Sequence, residues 1–499
     1  MDFHVTLTGR GDLSARIYRQ LLEAILDGRL RAGERLPPTR ELARRLEVSR
    51  NTVAVAYERL TAEGFVTGRV GAGTFVSLDP FAGTRPGGPE ALAREAPPGD
   101  VAPRPVWGSI PLWPPRPAEA LPYEFKMGVP DVELFPLESW RRLLARQLRS
   151  SVVRNAQYTD PAGHEGLRTA IARHVGISRS VRAGADDVLV TQGAQQAFDL
   201  IGRVLIEPGD QVAVEEPGYP PVRLLFRSLG AEVVGVPVDD EGLDVAAIPP
   251  KARLVYVTPS HQYPLGTPMS LARRAALLEW AERRGAAVIE DDYDSEFRFE
   301  DRPLEPLQSL DRSGRVIYVG SFSKSTLPML RLGFLVAPAS LRPALLTAKR
   351  LADWYGQYPE QAAMADFIDE GLLARHIRKA NRVYAARHRA ILTALRRDFA
   401  DWLDPIPSAA GLHLCALLKD PAVDLDAVLA RARELGVGVE TVSGHYAEGG
   451  PHRPGVLLGY GGLALERVEE GLRRLAAAFR AVTGGRVRDA RGSDSRVST

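Results

Sequence analysis

The sequence predicts an α/β body built on a mostly parallel sheet, preceded by a small helical unit that ends in a two-stranded hairpin. Three observations predict it. VLVTQGAQQAFDLIGRVL reads as an apolar strand, a Gly-containing turn and a helix. AAVIEDDYDSEF opens on an apolar run, Ala286 to Ile289, then breaks into carboxylates, as a buried parallel strand does at the carboxyl edge of its sheet. Helical periodicity from Leu13 onward marks the N-terminal unit. With 499 residues, 45% hydrophobic and 25% charged, the chain has material for two or three domains and a large core.

In chain order, Leu13, Ile17, Leu21, Leu22, Ile25 and Leu26 recur at helical spacing and give a first helix one buried face. In LPPTRELARRLEVSRNTVAVAYERLTAEGFV, Pro38-Thr39 starts a second helix that runs through Leu46, and Ser49 caps a third from Arg50 to about Ala62. Only Glu47 and Val48 intervene, as in a helix-turn-helix. Phe65-Val66 and Thr74-Phe75-Val76, around Gly68, Gly71 and Gly73, read as a two-stranded wing with a tight tip.

Residues 10–77 hold twelve arginines and no lysine against eight Asp and Glu, an excess of four in a chain whose net charge is +2. Counterion release makes such a local excess favourable against phosphates. Ser49, Arg50, Asn51 and Thr52 stand at the start of the third helix, where side chains meet base edges or phosphates in helix-turn-helix complexes. The same charge also suits a solvated helix pair used for protein contact. Residues 79–121 are Pro- and Gly-rich, a linker by composition, extended at about 3 Å per residue where proline dominates. Trp107 and Trp113 are expected to anchor it to a surface.

In the body, SFSKSTLPMLRLGF sets Lys324 in a loop between two apolar runs. Only six of the 64 basic residues are lysines, so plain positive charge is supplied by arginine, and a lysine kept here points to amine chemistry. A primary amine condenses with an aldehyde to a Schiff base, and pyridoxal phosphate is the cofactor that needs this amine beside a phosphate clamp and an acidic partner for its ring nitrogen. Asp291 suits the ring nitrogen and Tyr293 the ring hydroxyl. Ser321, Ser323 and Arg331 suit a phosphate, as do the amides near Gly193, Ala194 and Gln195 at a helix N-terminus.

On these motifs, residues 122–482 resemble a fold-type I pyridoxal-phosphate aminotransferase domain. That resemblance implies helices on both faces of the sheet and a smaller C-terminal α+β subdomain. It also implies Lys324 as the Schiff-base lysine, Asp291 as the pyridinium partner, Tyr293 on the ring hydroxyl and Tyr219, in EEPGYPP, stacked on the ring. Tyr158, in QYTDPAGHEGL, matches a tyrosine that reaches the neighbouring subunit's phosphate. Where many aminotransferases have Asn-Pro-x-Gly, this chain reads TPSHQYPLG, so His261 or Gln262 takes the asparagine's place or the contact is lost. For the arginine that grips a substrate carboxylate, the C-terminal segment offers Arg453.

Residues 12–78 resemble a GntR-type winged helix-turn-helix, which implies DNA contacts from Arg40, Arg50, Asn51 and Thr52, with Gly71 at the wing tip. The two resemblances together, with TPSHQYPLG, EDDYDSEF and SFSK, are those of a MocR/GabR-type regulator, over about 95% of the chain. They imply a homodimer, domain-swapped head to tail, that binds a double-stranded operator and responds to pyridoxal phosphate or an amine. Two other readings stand beside this one: a working aminotransferase with an accessory DNA-binding domain, and a DNA-binding protein whose body is only a dimerisation scaffold.

Cys415 is the only cysteine, which excludes an intramolecular disulfide and a thiolate metal site, and no histidine pair has metal-ligand spacing. The opening MDFHVTLTGRGDLSAR has no apolar signal core and no run approaches the ~18 residues a spanning helix needs. The expected setting is the cytoplasm, on the nucleoid when DNA is bound. Residues 483–499 are polar and rich in Gly, Ser and Arg, and are expected to form a disordered tail.

Overall fold

A computed structural model of the chain describes residues 12–27, 29–31, 33–69, 73–77, 101–111, 121–149, 157–299, 305–447 and 453–493. The chain divides into two compact units, Met1–Ala102 and Pro103–Thr499.

The first unit holds helices α1 (Leu13–Leu26), α2 (Thr39–Arg45) and α3 (Arg50–Ala62) and strands β1 (Val66–Arg69) and β2 (Gly73–Val76). Asp12 caps α1 by accepting from the amide of Ser14 at 2.9 Å. Glu47 adopts φ 53°, a left-handed turn that redirects the chain from α2 into α3. The strands pair antiparallel with Val66 opposite Val76. Ile17, Leu21, Leu42, Val53, Leu60, Val66 and Val76 form one core, so the apolar stripe of α1 is buried by the two helices and the hairpin together. Tyr57 donates its hydroxyl to the carbonyl of Pro37 at 2.8 Å and fastens α3 to the segment that leads into α2. The expected wing tip, Gly71, lies outside the described residues.

The boundary between the units, after Ala102, falls within the Pro- and Gly-rich segment 79–121. Arg104 donates to the carbonyl of Ser228 at 3.2 Å, and a 3-10 turn, Pro105–Ser109, follows it. Residues 103–111 are therefore held by the body. Trp107 in this turn is 50% exposed, and Trp113 lies outside the described residues.

The body runs β3 (Tyr123–Phe125), α4 (Leu137–Gln147), α5 (Glu165–Arg179), β4 (Val188–Thr191), α6 (Ala194–Leu205), β5 (Gln211–Glu216), α7 (Pro220–Ser228), β6 (Glu232–Asp239), β7 (Gly242–Leu243), β8 (Leu254–Val257), α8 (Leu271–Arg284), β9 (Ala287–Asp292) and α9 (Leu307–Leu310). It continues with β10 (Val316–Ser321), β11 (Gly333–Val336), α10 (Arg342–Ala352), α11 (Tyr358–Asp369), α12 (Leu372–Asp398), β12 (Leu403–Pro405), β13 (His413–Leu418), α13 (Leu425–Glu434), β14 (Val437–Thr441), β15 (Gly455–Gly459) and α14 (Leu465–Ser493).

Eight strands form the large sheet in the order β4-β11-β10-β9-β8-β5-β6-β7. The run from β10 through β9, β8 and β5 to β6 is parallel, while β11 and β7 are antiparallel to their neighbours. Side chains alternate between its faces. Leu189, Ile317 and Leu335 pack with residues of α6, α7 and α10, whereas Val190, Tyr318 and Phe334 pack with residues of α4, α5 and α11. Helices therefore cover both faces, which is why β4, β8, β10 and β11 are buried along their whole length.

A smaller sheet, β12-β13-β15-β14-β3, packs against α12, α13 and α14 as the C-terminal α+β subdomain. Its edge strand β3 comes from the start of the body and runs parallel to β14. Helix α14 continues to Ser493, past Thr483 where composition predicts a disordered tail; an α-helix already docked on the small sheet extends without a new nucleation cost. Among the described residues no helix is long and apolar enough to cross a membrane.

Candidate functional site

The carboxyl ends of the parallel strands converge on Lys324. Strand β10 ends at Ser321, in register with Gly333 of β11, which in turn pairs with Thr191 of β4, and Asp291 lies beside Val319 on the neighbouring strand β9. This is the edge at which open α/β sheets bind ligands. Lys324 follows β10 and donates its Nζ to the carbonyl of Gly128 at 2.7 Å. Gly128 has φ 65°, and a Cβ there would lie 2.7 Å from that Nζ. Burial pulls the lysine pKa below its ordinary value, opposed by the charges of Asp294 and Asp291, so a larger share of the amine is unprotonated and nucleophilic.

Asp291 is the buried acid. Its Oδ2 accepts from the hydroxyl of Tyr256 at 2.7 Å, and its Oδ1 is buried without a partner. Burial pushes its carboxyl up to about 7, against the pull of Tyr256. A half-satisfied buried carboxylate is complementary to a cationic N–H such as that of a protonated pyridine.

Close by, the Arg331 guanidinium lies against the Gly193 backbone. Gly193 precedes α6 with φ 77°, and a Cβ there would come within 2.5 Å of the Arg331 Nη2, which donates to the carbonyl of Gln192 at 3.0 Å. Arg331 is itself left-handed, φ 48°, following the turn Pro328–Leu330. Gly333 approaches so closely that its Cβ would lie 2.8 Å from the Gly193 Cα. Ser321 donates its Oγ to that of Ser323 at 3.0 Å. Ala194 and Gln195 open α6, whose first amides have no partner within the helix. Tyr219, at the start of α7, is half-buried, and its ring stands edge-on to Tyr263 with centroids 5.4 Å apart. Burial and the charge of Asp291 push its hydroxyl up to about 12. The residues fit pyridoxal phosphate: an amine of lowered pKa, an orphaned carboxylate oxygen and a cradle that a Cβ at Gly193 would fill.

Other sequence-selected residues are placed differently. The Tyr293 hydroxyl donates to the carbonyl of His261 at 3.0 Å and lies 3.1 Å from its Nδ1. His261 Nδ1 also faces both carboxylate oxygens of Asp294 at 3.1 Å, while its Nε2 is buried without a partner. Gln262 holds its loop, donating to the carbonyls of Pro217 and Tyr263 at 2.8 Å each. Tyr158 is 80% exposed and packs on Trp354, ring centroids 4.8 Å apart. Arg453 is exposed, two residues before β15.

Several groups had no signal in the sequence. Glu215, at the end of β5, accepts from the amide and hydroxyl of Thr258 at 3.1 and 2.5 Å, and burial pushes it up to about 7. Arg179 donates to Asp292 at 2.8 Å and to Ser260 at 2.7 Å. His261, Asp294 and His413 bring one potential metal-ligand atom each to within 4.8 Å of one another. These partners are far apart in sequence, so no local spacing announces them.

On the first unit, Ser49 caps α3: its Oγ accepts from the amide of Thr52 at 3.1 Å and lies 2.7 Å from the Thr52 hydroxyl. Both hydroxyls are thus engaged in the cap, and Arg40, Arg50 and Asn51 are exposed.

Comparison with known proteins gives two family matches, "Bacterial regulatory proteins, gntR family" over residues 13–76 and "Aminotransferase class I and II" over residues 124–439. The chain is 39% identical to the Rhizobium meliloti "Probable rhizopine catabolism regulatory protein MocR" over 94% of each chain. It is 34% identical to the "HTH-type transcriptional regulator TauR" of Rhodobacter capsulatus, over 96% of this chain and 99% of that one. Its body resembles the crystal structure of LysN, the α-aminoadipate aminotransferase of Thermus thermophilus, complexed with N-(5'-phosphopyridoxyl)-L-leucine, with TM-score 0.66 and 31% identity over 72% of this chain and 93% of that one.

Proposed function

This chain belongs to the MocR-type GntR regulators, DNA-binding transcriptional regulators with a pyridoxal-phosphate-dependent aminotransferase fold, and on that premise we propose that its body senses pyridoxal phosphate or an amine and changes the head's hold on operator DNA. What supports the reading is one observation: the chain that bears the helix-turn-helix also keeps, around one sheet edge, the Lys324 amine, the unpartnered Oδ1 of Asp291 and the Gly193–Arg331 cradle. A body used only as a scaffold has no need of all three.

Pyridoxal phosphate supplies an electrophilic aldehyde and an electron-withdrawing ring. In this reading Lys324 provides the amine for that aldehyde, and Asp291 holds the proton on the ring nitrogen. The α6 amides from Gly193 to Gln195, with Ser321, Ser323 and Arg331, hold the phosphate. Tyr219 covers a ring face, and Tyr293 with His261 lies on the ring-hydroxyl side. Lys324 is the group an effector amine would displace, and Arg453 is assigned to that amine's carboxylate. Tyr158, exposed in the single chain, is assigned to the partner subunit's phosphate in a homodimer whose heads are exchanged head to tail. Arg40, Arg50 and Asn51 meet the operator while Ser49 and Thr52 hold the helix start, with Gly71 at the wing tip. The regulator works in the cytoplasm, on the nucleoid when DNA is bound.

Linkage requires operator DNA to alter effector affinity by the same factor as the effector alters DNA affinity. The test is a titration of the purified full-length protein on the DNA flanking its own gene, at one stated salt concentration, with pyridoxal phosphate removed and then restored. A specific complex whose affinity or footprint changes supports the reading. A complex indifferent to both the cofactor and a panel of amines defeats it.

A further inference from the structure

The body carries a second cavity, of about 670 Å³, outside the cofactor pocket. It is walled by the last turns of α5, the segment Ser295–Arg298 after β9, and the junction of α11 with α12. At its base lies Arg179, whose side chain is 4% exposed. Its Nε and Nη2 are committed to Asp292 and Ser260, but its Nη1 is buried with no hydrogen-bond partner. A buried guanidinium N–H without an acceptor is costly to leave unmet, and an oxyanion meets it.

The surrounding charges point the same way. Arg173 is paired with Asp369, and Arg179 with Asp292, and Arg378 adds positive charge to the walls. His174 is kept below its ordinary pKa by burial and by Arg173, so it adds little charge. Glu296 has an Oε2 buried without a partner, and burial with the nearby Asp292 pushes its carboxyl up to about 8, which weakens it as a competing anion. Ile177, Ile368 and Ile377 give the cavity an apolar side that inorganic ions do not use.

We propose that this cavity is a second ligand site, for a small organic carboxylate with an apolar body, and that its occupancy is felt in the cofactor pocket through Arg179. The path is short: Asp292 adjoins Asp291, and Ser260 adjoins His261. A carboxylate bound to Arg179 competes with Asp292 for the guanidinium, and a less neutralised Asp292 raises the proton affinity of Asp291. The coupling rests on the reading that Asp291 holds the cofactor ring, whereas the binding does not.

The experiment titrates hexanoate into the full-length protein saturated with pyridoxal phosphate, by calorimetry at fixed ionic strength, while following the cofactor's visible absorption. One saturable site per chain is expected, weakened at least tenfold in both Arg378→Ala and Ile177→Asp, with an absorption change of the same midpoint. Inorganic phosphate forms the second arm and should bind at least tenfold more weakly. No saturable binding, affinity unchanged in both variants, or phosphate binding as tightly as hexanoate overturns the site. Saturable binding with no absorption change overturns the coupling alone and leaves the cofactor reading to its own test.

Discussion

Tyr256 donates its hydroxyl to one oxygen of Asp291 at 2.7 Å and leaves the other oxygen buried and unpartnered. The bond fixes the carboxylate's plane and restrains its pKa, and the free oxygen is where a ring N–H can dock. Asp291→Ala is therefore expected to weaken pyridoxal phosphate binding roughly tenfold to a hundredfold, the scale of one charge-assisted hydrogen bond. Tyr256→Phe should cost several-fold. Equilibrium dialysis against the cofactor checks both, with cofactor-free DNA binding unchanged as the control.

Gly193→Ala tests the cradle separately. The added methyl would stand 2.5 Å from the Arg331 Nη2 on a backbone with φ 77°, so the guanidinium must move. A loss of cofactor affinity of about tenfold or more is expected, alongside a strain cost of roughly 1 kcal/mol in thermal unfolding. Retained affinity would mean that the phosphate does not use this end.

Glu215 predicts a pH dependence. Its ordinary value near 4.5 is raised to about 7 in the folded chain, so between those values the native state binds the proton more tightly than the unfolded state. Its contribution to stability therefore falls as pH rises through that window. Glu215→Gln should be more favourable relative to the parent at pH 8 than at pH 5, by roughly 1 to 3 kcal/mol. Urea unfolding of both proteins at the two pH values measures this difference.

Arg50 and Ser49 separate DNA contact from helix stability. Ser49→Ala removes the cap of α3 and should cost about 1 kcal/mol of head stability. Arg50→Ala should leave that stability unchanged, weaken operator binding, and reduce the slope of log affinity against log salt by about 1 if it meets a phosphate.

Lys324→Ala should abolish borohydride trapping of the cofactor on the chain, read by peptide mass, and with it the response of DNA binding to pyridoxal phosphate. Arg453→Ala should spare both and weaken the response to a carboxylate-bearing amine about tenfold. Steady multiple turnovers with an amino acid and a 2-oxo acid would instead favour the enzyme reading.

The head was largely legible because its signals are local. The stripe from Ile17 to Leu21, the Ser49 cap and the Gly-flanked hairpin each fall within a few residues, and α1 and α3 span Leu13–Leu26 and Arg50–Ala62. In the body, apolar runs ending in Thr191, Asp292 and Ser321 marked the strands whose ends gather the site. The partners of the singled-out residues were not legible. Tyr256 is 35 residues from Asp291, Gly128 is 196 from Lys324 and Arg179 is 113 from Asp292, so only tertiary packing joins them. At the C-terminus, composition argued for disorder, whereas α14 carries its hydrogen-bonded ladder on to Ser493.

Strand β3 begins at Tyr123, soon after the connection from the head, and the chain reaches Gly128 five residues later. The carbonyl that receives the Lys324 amine thus follows directly on an edge strand, gripped on one side by β14. A slip of that strand by one residue, about 3.3 Å, takes the acceptor out of reach of the amine. Where β3 sits along β14 therefore sets whether the Lys324 amine keeps its backbone acceptor.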